Sequence, residues 1–233
     1  MPYSDHIIEK FLEDQTSVFR GLSQKEKELI DASHSIEVIK KGELIVREGE
    51  KARGFICIAA GKVKLFKVGI GGREQIIKML RQNGIIGYKS LFSDGNYTCS
   101  ATAIEETVIC IIDRSTIIKI LKKNADFSYN LMKVITDDLT FTMDRTMSLT
   151  QKHIRGRLAE SLLVLKDTYG TENDGKTIRI ALSREDIANL SNMTTSNAIR
   201  TLSSMATDDI IEMEGRKIRI KDLSELERIS SLG

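Results

Sequence analysis

The texture of the chain changes near residue 113, and that change limits the folds open to it. From Ile36 to Asp113, short apolar or β-branched runs recur at Ile36–Ile39, Leu44–Val46, Phe55–Ala59, Val63–Val68, Gln75–Met79 and Thr107–Ile112. Glycine separates them at Gly42, Gly49, Gly54, Gly61, Gly69, Gly71, Gly72, Gly84, Gly87 and Gly95. Many short strands joined by glycine turns predict an antiparallel sandwich or barrel. The segment Val68–Arg73 reads as a flexible hairpin tip between two strands.

Beyond this region the glycines stop. Between Lys122 and Arg155 there is neither glycine nor proline. Phe127, Leu131, Ile135, Leu139, Met143 and Met147 follow one another at intervals of four, with Val134 and Phe141 beside the row. The pattern predicts a long helix over about 115–150, with an apolar arc wider than one core contact requires. A helix that rests on its own domain and on a partner helix needs two apolar faces, so this one is read as a dimerisation helix. The alternative is the core helix of a monomer, and strict heptads are broken by Asp138 and Arg145. Ahead of the strands, residues 7–34 read as short helices, with Ile7, Ile8, Phe11 and Leu12 at helical spacing, then Leu22, Leu29 and Ile30.

A chain of 233 residues suits two modest domains. The expected division is a sensor domain over 1–150, including the dimerisation helix, and a second domain over 151–233. In the latter, a helix is expected over Ile154–Tyr169, a turn at Asn173–Gly175 and a strand at Thr177–Ala181.

Ser183 to Leu202 carries the functional signal. Ser183 suits an N-cap, with Glu185 and Asp186 in the first turn of a helix over Arg184–Leu190. Ile187 and Leu190 are apolar, and small Ala188 permits a steep helix crossing. Asn192 falls where the chain must turn sharply, and Asn tolerates a left-handed backbone. Thr194 suits the cap of a second helix, Thr195–Met205, with Ala198, Leu202 and Met205 on its apolar face. Length and spacing match a helix-turn-helix. Its exposed edge is Thr195, Ser196, Asn197 and Arg200, residue types that reach base edges and phosphates in a major groove. Ser183, Arg184 and Thr194 join them as candidate DNA contacts. Ile210–Met213 and Lys217–Lys221 then form a hairpin, readable either as a wing near the DNA backbone or as a solvated edge protected by charge.

Composition sets limits on other readings. Net charge is +2, and residues 151–233 hold 13 basic and 13 acidic residues. A DNA reading therefore rests on where the cations sit. No apolar run approaches the ~18–20 residues that span a bilayer. The N-terminus lacks the pattern of a signal peptide, so a cytoplasmic location is expected. Cys57, Cys99 and Cys110 lack C-x-x-C spacing and read as buried hydrophobes.

Taken in order, these segments resemble the CRP/FNR transcription regulators over nearly the whole chain. The resemblance lies in the glycine-punctuated roll around Gly42–Gly61 and in Gly84–Phe92, which is similar to the family's phosphate cassette. It continues in the long helix, in Gly156-Arg157-Leu158-Ala159 and in Ser183–Ala188. It implies an α+β architecture: an N-terminal antiparallel β-roll of the jelly-roll, cyclic-nucleotide-binding type, a long dimerisation helix and a C-terminal winged helix-turn-helix. It also implies double-stranded DNA with a pseudo-palindromic operator, a homodimer, and RNA polymerase met through the Gly71-Gly72 tip.

The resemblance places an effector pocket at Gly87, Tyr88, Lys89, Ser90, Thr98, Cys99 and Thr142. The cyclic-AMP-binding members supply a glutamate for the ribose from the segment corresponding to Gly87–Leu91. They supply an arginine and a serine for the phosphate near Asn96–Ser100. Here Tyr88, Thr98 and Cys99 hold those places, and a buried phosphate would lack a cationic partner. Cyclic AMP is therefore not expected to bind. Residues 1–35 hold no cysteine, so the family's iron–sulfur cluster is not expected either. Haem stays open, with His6, His34 and His153 the only histidines. Many relatives carry a glutamate where Ser196 stands, while Arg200 is retained, so a different half-site is expected.

Two other classes compete. A cupin-like enzyme needs a histidine and carboxylate cluster, but residues 36–113 contain no histidine, and no hydrolase, zincin or P-loop motif occurs. No catalytic residue and no metal site is assigned. A regulatory subunit that binds a protein partner is the other alternative.

Overall fold

The structure, a computed structural model, describes residues 11–14 and 16–232. The helix expected around Ile7 and Ile8, and His6, lie outside the described residues. By compactness the chain forms two units, Met1–Phe66 with Leu80–Thr140, and Lys67–Met79 with Phe141–Gly233.

The β-roll contains β1 (His34–Ile39), β2 (Leu44–Val46), β3 (Phe55–Ala60), β4 (Val63–Val68), β5 (Glu74–Leu80), β6 (Ile85–Ile86), β7 (Ser100–Ala103) and β8 (Thr107–Ile112). They form two four-stranded sheets, ordered β1-β8-β3-β6 and β2-β7-β4-β5, and the described pairings within them are antiparallel. β8 is buried at every residue because both its faces are covered, which is why it reads as a continuous apolar run. Alternation still sorts its side chains. Phe55, Cys57, Cys110 and Ile112 join the helical residues Ile117, Ile120, Phe127 and Leu131 in one core cluster. Ile56, Ile58, Ile109 and Ile111 join Val63, Ile86 and Ala101 in another. Phe19 anchors the first, stacked on Phe127 at 5.4 Å and edge-on to Phe55 at 5.7 Å.

β6 and β7 escaped the sequence reading. The first has two residues, and the second is Ser-Ala-Thr-Ala, with too little apolar surface to show a period. Cys57 and Cys110 stand opposite each other on β3 and β8, both buried. Burial pushes the Cys57 thiol well above its usual range and Cys110 up to about 12, so both are core side chains in the thiol form.

Among the helices, α1 spans Gln24–Asp31 and α2 Tyr88–Leu91. The single helix expected over 115–150 is two, α3 (Arg114–Lys123) and α4 (Ala125–Gln151). Asn124 breaks them with φ −109° and ψ 107°, and its Oδ1 accepts the Phe127 N–H at 2.8 Å, an Asn cap overriding a glycine-free apolar pattern. On α4 the row at intervals of four does not keep to one side. Each step of four overshoots a 3.6-residue turn by ~40°. Phe127 and Leu131 are buried, whereas Ile135, Leu139, Met143 and Met147 are exposed. The buried side includes Asp138 and Arg145, 8% and 7% exposed. The residues that spoil the heptad thus lie on the inward face.

The second unit carries α5 (Ile154–Tyr169), α6 (Arg184–Leu190), α7 (Thr195–Thr207), β9 (Ile211–Glu214), β10 (Lys217–Ile220) and α8 (Leu223–Leu232). Leu158, Leu162, Ile187, Ala198, Leu202, Met205, Ile218 and Leu226 fill its interior. The strand expected at Thr177–Ala181 is reduced to isolated bridges, Ile178 to Thr171 and Thr177 to Arg219. Asp174 accounts for this. Its carboxylate accepts the Lys176 and Thr177 N–H groups and the Thr177 hydroxyl, which holds the segment in a turn.

Candidate nucleic-acid interface and effector cavity

Two side-chain caps set the helix-turn-helix. Ser183 Oγ accepts the Asp186 N–H at 2.9 Å and donates to Asp186 Oδ2 at 2.6 Å. Thr194 Oγ1 accepts the Asn197 N–H at 3.2 Å. Between the helices Asn192 takes φ 50°, and the Met193 N–H donates to the Ala188 carbonyl at 3.0 Å. Ala188 and Ala198 are buried. Their methyl side chains let α6 and α7 approach closely.

The start of α7 is left to solvent. Thr194, Thr195, Ser196 and Arg200 are exposed and Asn197 is half-buried. Arg200 Nη2 donates to Asn197 Oδ1, so the two residues suited to bidentate base contacts are paired on one helical turn. The candidates do not all serve alike. Ser183 and Thr194 spend their hydroxyls on caps. Arg184 Nη2 donates to the Gly215 carbonyl at 2.7 Å and faces Met213 Sδ at 3.5 Å, which ties α6 to the turn of the β9–β10 hairpin. No composition or period points to that contact.

The outward cations of the hairpin are compensated. Lys217 pairs with Glu172 at 3.0 Å, and that hydrogen-bonded carboxylate raises the lysine above its usual range. Arg219 lies 3.3 Å from Glu212 and 3.6 Å from Asp174, and Lys221 pairs with Asp209. Arg216, at the tip, is exposed and has no hydrogen-bond or ion-pair partner among the described residues. Of the two readings of this hairpin, the charge-protected edge fits β10 itself, while the tip presents the Arg216 cation to solvent.

Behind the reading edge stands a buried polar cluster that the sequence did not signal. Arg145 donates to the Leu190 carbonyl, at the end of α6, and to Ser161 Oγ at 3.3 Å. Its Nη1 lies 3.7 Å from Glu160, which also accepts from Ser148. Burial pushes the guanidinium below its usual range, and Glu160 opposes the shift. Arg155 holds the other end of the recognition helix, donating to Ser204 at 2.8 Å and Asp208 at 2.6 Å. In the same unit, Arg73 donates to Asn192 Oδ1 at 3.0 Å and Gln75 to the Asn189 carbonyl at 2.8 Å.

In the β-roll, Gly87, Tyr88, Lys89, Ser90, Thr98 and Cys99 come together. With Leu65, Ile85, Ile86 and Tyr97 they line a small cavity of about 30 Å³. Thr142 does not line it. Gly87 has φ 88°, and a Cβ there would fall 2.7 Å from the Gly54 carbonyl and 3.4 Å from the Tyr97 ring. Of the histidines open to haem, His34 holds its Nδ1 against the Asp31 carbonyl at 2.8 Å, and His153 is exposed as the N-cap residue of α5. Neither lines the cavity.

A β-roll followed by a capped helix-turn-helix whose second helix starts with a polar, exposed edge is the architecture of a DNA-binding regulator with an effector-binding domain. The comparisons agree. Residues 36–124 match the cyclic nucleotide-binding domain and residues 156–229 the Crp-like helix-turn-helix domain. The CRP-like cAMP-activated global transcriptional regulator of Mycobacterium tuberculosis (strain ATCC 25618 / H37Rv) is 28% identical over 190 residues, 81% of this chain and 84% of that one. The anaerobic regulatory protein of Bacillus subtilis (strain 168) is 23% identical over 189 residues, 80% and 79% of the two chains. In fold, FixK2 from Bradyrhizobium japonicum superposes with a TM-score of 0.76 at 23% identity, over 84% of this chain and 96% of that one. A CRP-family transcriptional regulator from Thermus thermophilus superposes at 0.71 and 20% identity, over 84% and 96%.

The chain belongs to the CRP/FNR family of DNA-binding transcription regulators. Neither the cupin-like enzyme nor the protein-binding subunit is favoured.

Proposed function

We propose that this regulator works as a homodimer that reads a pseudo-palindromic operator with Ser196, Asn197 and Arg200 of each copy. It responds to an effector other than cyclic AMP in the β-roll cavity. The observation that carries the reading is the exposed start of α7, capped by Thr194 and seated by Ala198 on α6. Exposed Tyr129, Met132, Leu139, Met143 and Met147 supply an apolar face for a second copy of α4. Leu139→Glu combined with Met143→Glu should give monomers in sedimentation and lose tight operator binding. Dimers that persist in the double variant would overturn the pairing.

Cyclic AMP is disfavoured because the cavity, at about 30 Å³, is far smaller than a nucleotide and Tyr88 occupies its wall. Calorimetric titration should show no micromolar binding of cyclic AMP, and such binding would refute this part. RNA polymerase is proposed to meet the tip at Gly71 and Gly72, beside fully exposed Ile70. Changes there should lower transcription in vitro and leave DNA affinity unchanged. Equal loss of both would refute the assignment. The proposed place of work is the cytoplasm, with the target DNA. Among the described residues no helix is long and apolar enough to cross a membrane.

A further inference from the structure

We infer that Ile199 of α7 reads a thymine in each half-site by packing against its 5-methyl group. The inference rests on the reading that the start of α7 enters a major groove, and it adds an apolar reader to the polar ones.

Ile199 stands where a polar side chain is expected. Ala198, Thr201, Leu202 and Met205 are buried, whereas Ile199 is 46% exposed. It is the one large apolar side chain left exposed among the described residues of α7. A β-branched residue is a poorer helix former than the Ala, Lys or Glu that commonly fill such a surface, so local helix preference does not account for it. Its place on the helix puts it with the readers. It lies one turn after Thr195 and Ser196 and one turn before Ser203, all three exposed. A helical side chain leans toward the N-terminus, so Ile199 covers the surface over Thr195 and Ser196, at the end of the helix that a groove receives. Arg200 donates to Asn197, which lies ~160° round the helix from Ile199. The guanidinium therefore leaves the Ile199 flank open.

The chemistry of the groove names the base. Among the groups that carry the base code there, the 5-methyl of thymine is the apolar one, and the rest are donors or acceptors. An isoleucine that covers a donor or acceptor strips its water without replacing the hydrogen bond. Ile199 thus favours thymine and penalises the other bases through one contact. Its stiff χ1 holds the side chain in place with little entropy left to lose. The helix has few other readers, since Arg200 is its only charged residue and the Ser196 hydroxyl can serve more than one base. Burial of one methyl group is worth about fourfold in affinity.

The test selects duplexes with the full chain, then replaces each thymine of the selected site, one at a time, by uracil. Uracil keeps the base pairing and removes only the methyl. Fluorescence anisotropy reads every duplex against the unaltered chain, Ile199→Val and Ile199→Ser. At one thymine in each half-site, replacement should weaken binding about fourfold for the unaltered chain and for Ile199→Val. For Ile199→Ser the same replacement should leave affinity unchanged. Melting temperatures of both variants separate these effects from loss of fold. A scan with no sensitive thymine overturns the inference, and so does a sensitivity that persists in Ile199→Ser. If Arg200→Ala loses its preference while the scan is silent, α7 still reads DNA and only the methyl contact falls. If no site is selected and Arg200→Ala changes nothing, the reading of α7 falls and the inference falls with it.

Discussion

Arg184 Nη2 meets the main-chain carbonyl of Gly215 at 2.7 Å, so one side chain joins the first helix of the helix-turn-helix to the tip of the hairpin. The tip carries Arg216, whose charge has no described partner. Loss of the Arg184 link should therefore let the tip drift. Arg184→Met is expected to weaken binding about fivefold, ~1 kcal/mol, to every duplex sequence alike, with little change in melting temperature. Fluorescence anisotropy on specific and scrambled duplexes measures both. A loss confined to one base position would instead make Arg184 a direct reader.

The buried cluster at Arg145 predicts a stability effect. Arg145→Met leaves the Leu190 carbonyl without that donor and Glu160 with a weaker set of cations, Lys152 remaining at 3.5 Å. Breaking a buried pair on one side costs several kcal/mol when nothing replaces it. Because Lys152 and Ser148 still face Glu160, a loss of about 2–3 kcal/mol is expected. Denaturant unfolding of the second unit's signal would show it, and a gain in stability would contradict the account.

Gly87→Ala should cost about 3 kcal/mol, because the left-handed backbone and a 2.7 Å approach to the Gly54 carbonyl act together. Gly71→Ala, with nothing within 4 Å of its added Cβ, keeps only the backbone penalty, about 1 kcal/mol. A melt of the two variants side by side ranks them, and equal losses would contradict the packing argument.

Asp174 gives a pH dependence of known sign. Hydrogen bonds from the Thr177 hydroxyl and N–H, then from the Lys176 N–H, hold its folded pKa at about 2, below the ordinary 3.8. A depressed carboxylate stabilises the folded state above its unfolded pKa, and that contribution fades as pH falls from about 4 toward 2. NMR titration of its carboxyl carbon should give the low value. In Asp174→Asn the Thr177 amide should exchange faster at neutral pH and lose its acid dependence. An Asp174 titrating near its ordinary value would contradict the turn geometry.

Much of the architecture was legible because its signals are local. Ser183, Asn192 and Thr194 are each specified by the backbone group they serve, and the structure places them as cap, left-handed turn and cap. Long-range pairings left no such mark. The partner of Arg184 is 31 residues away, that of Arg145 is 45 away, and Asp138 meets a lysine from the cassette segment. The spacing of α4 even misled at Asp138 and Arg145, because inward charged residues interrupt an apolar pattern when their partners are out of view. The cavity residues were reached through resemblance. The wall formed by Leu65, Ile85 and Ile86 was not, since apolar residues in strands carry no sign of what they enclose.

Selection of duplexes by the full chain, followed by affinity measurements on Arg200→Ala, tests most directly whether the start of α7 reads DNA. The account predicts a two-fold symmetric site with half-sites ~34 Å apart. It also predicts a preference over scrambled DNA that falls about tenfold or more in the variant, with a nearly unchanged salt slope. A variant that selects the same site with the same preference would contradict the central claim.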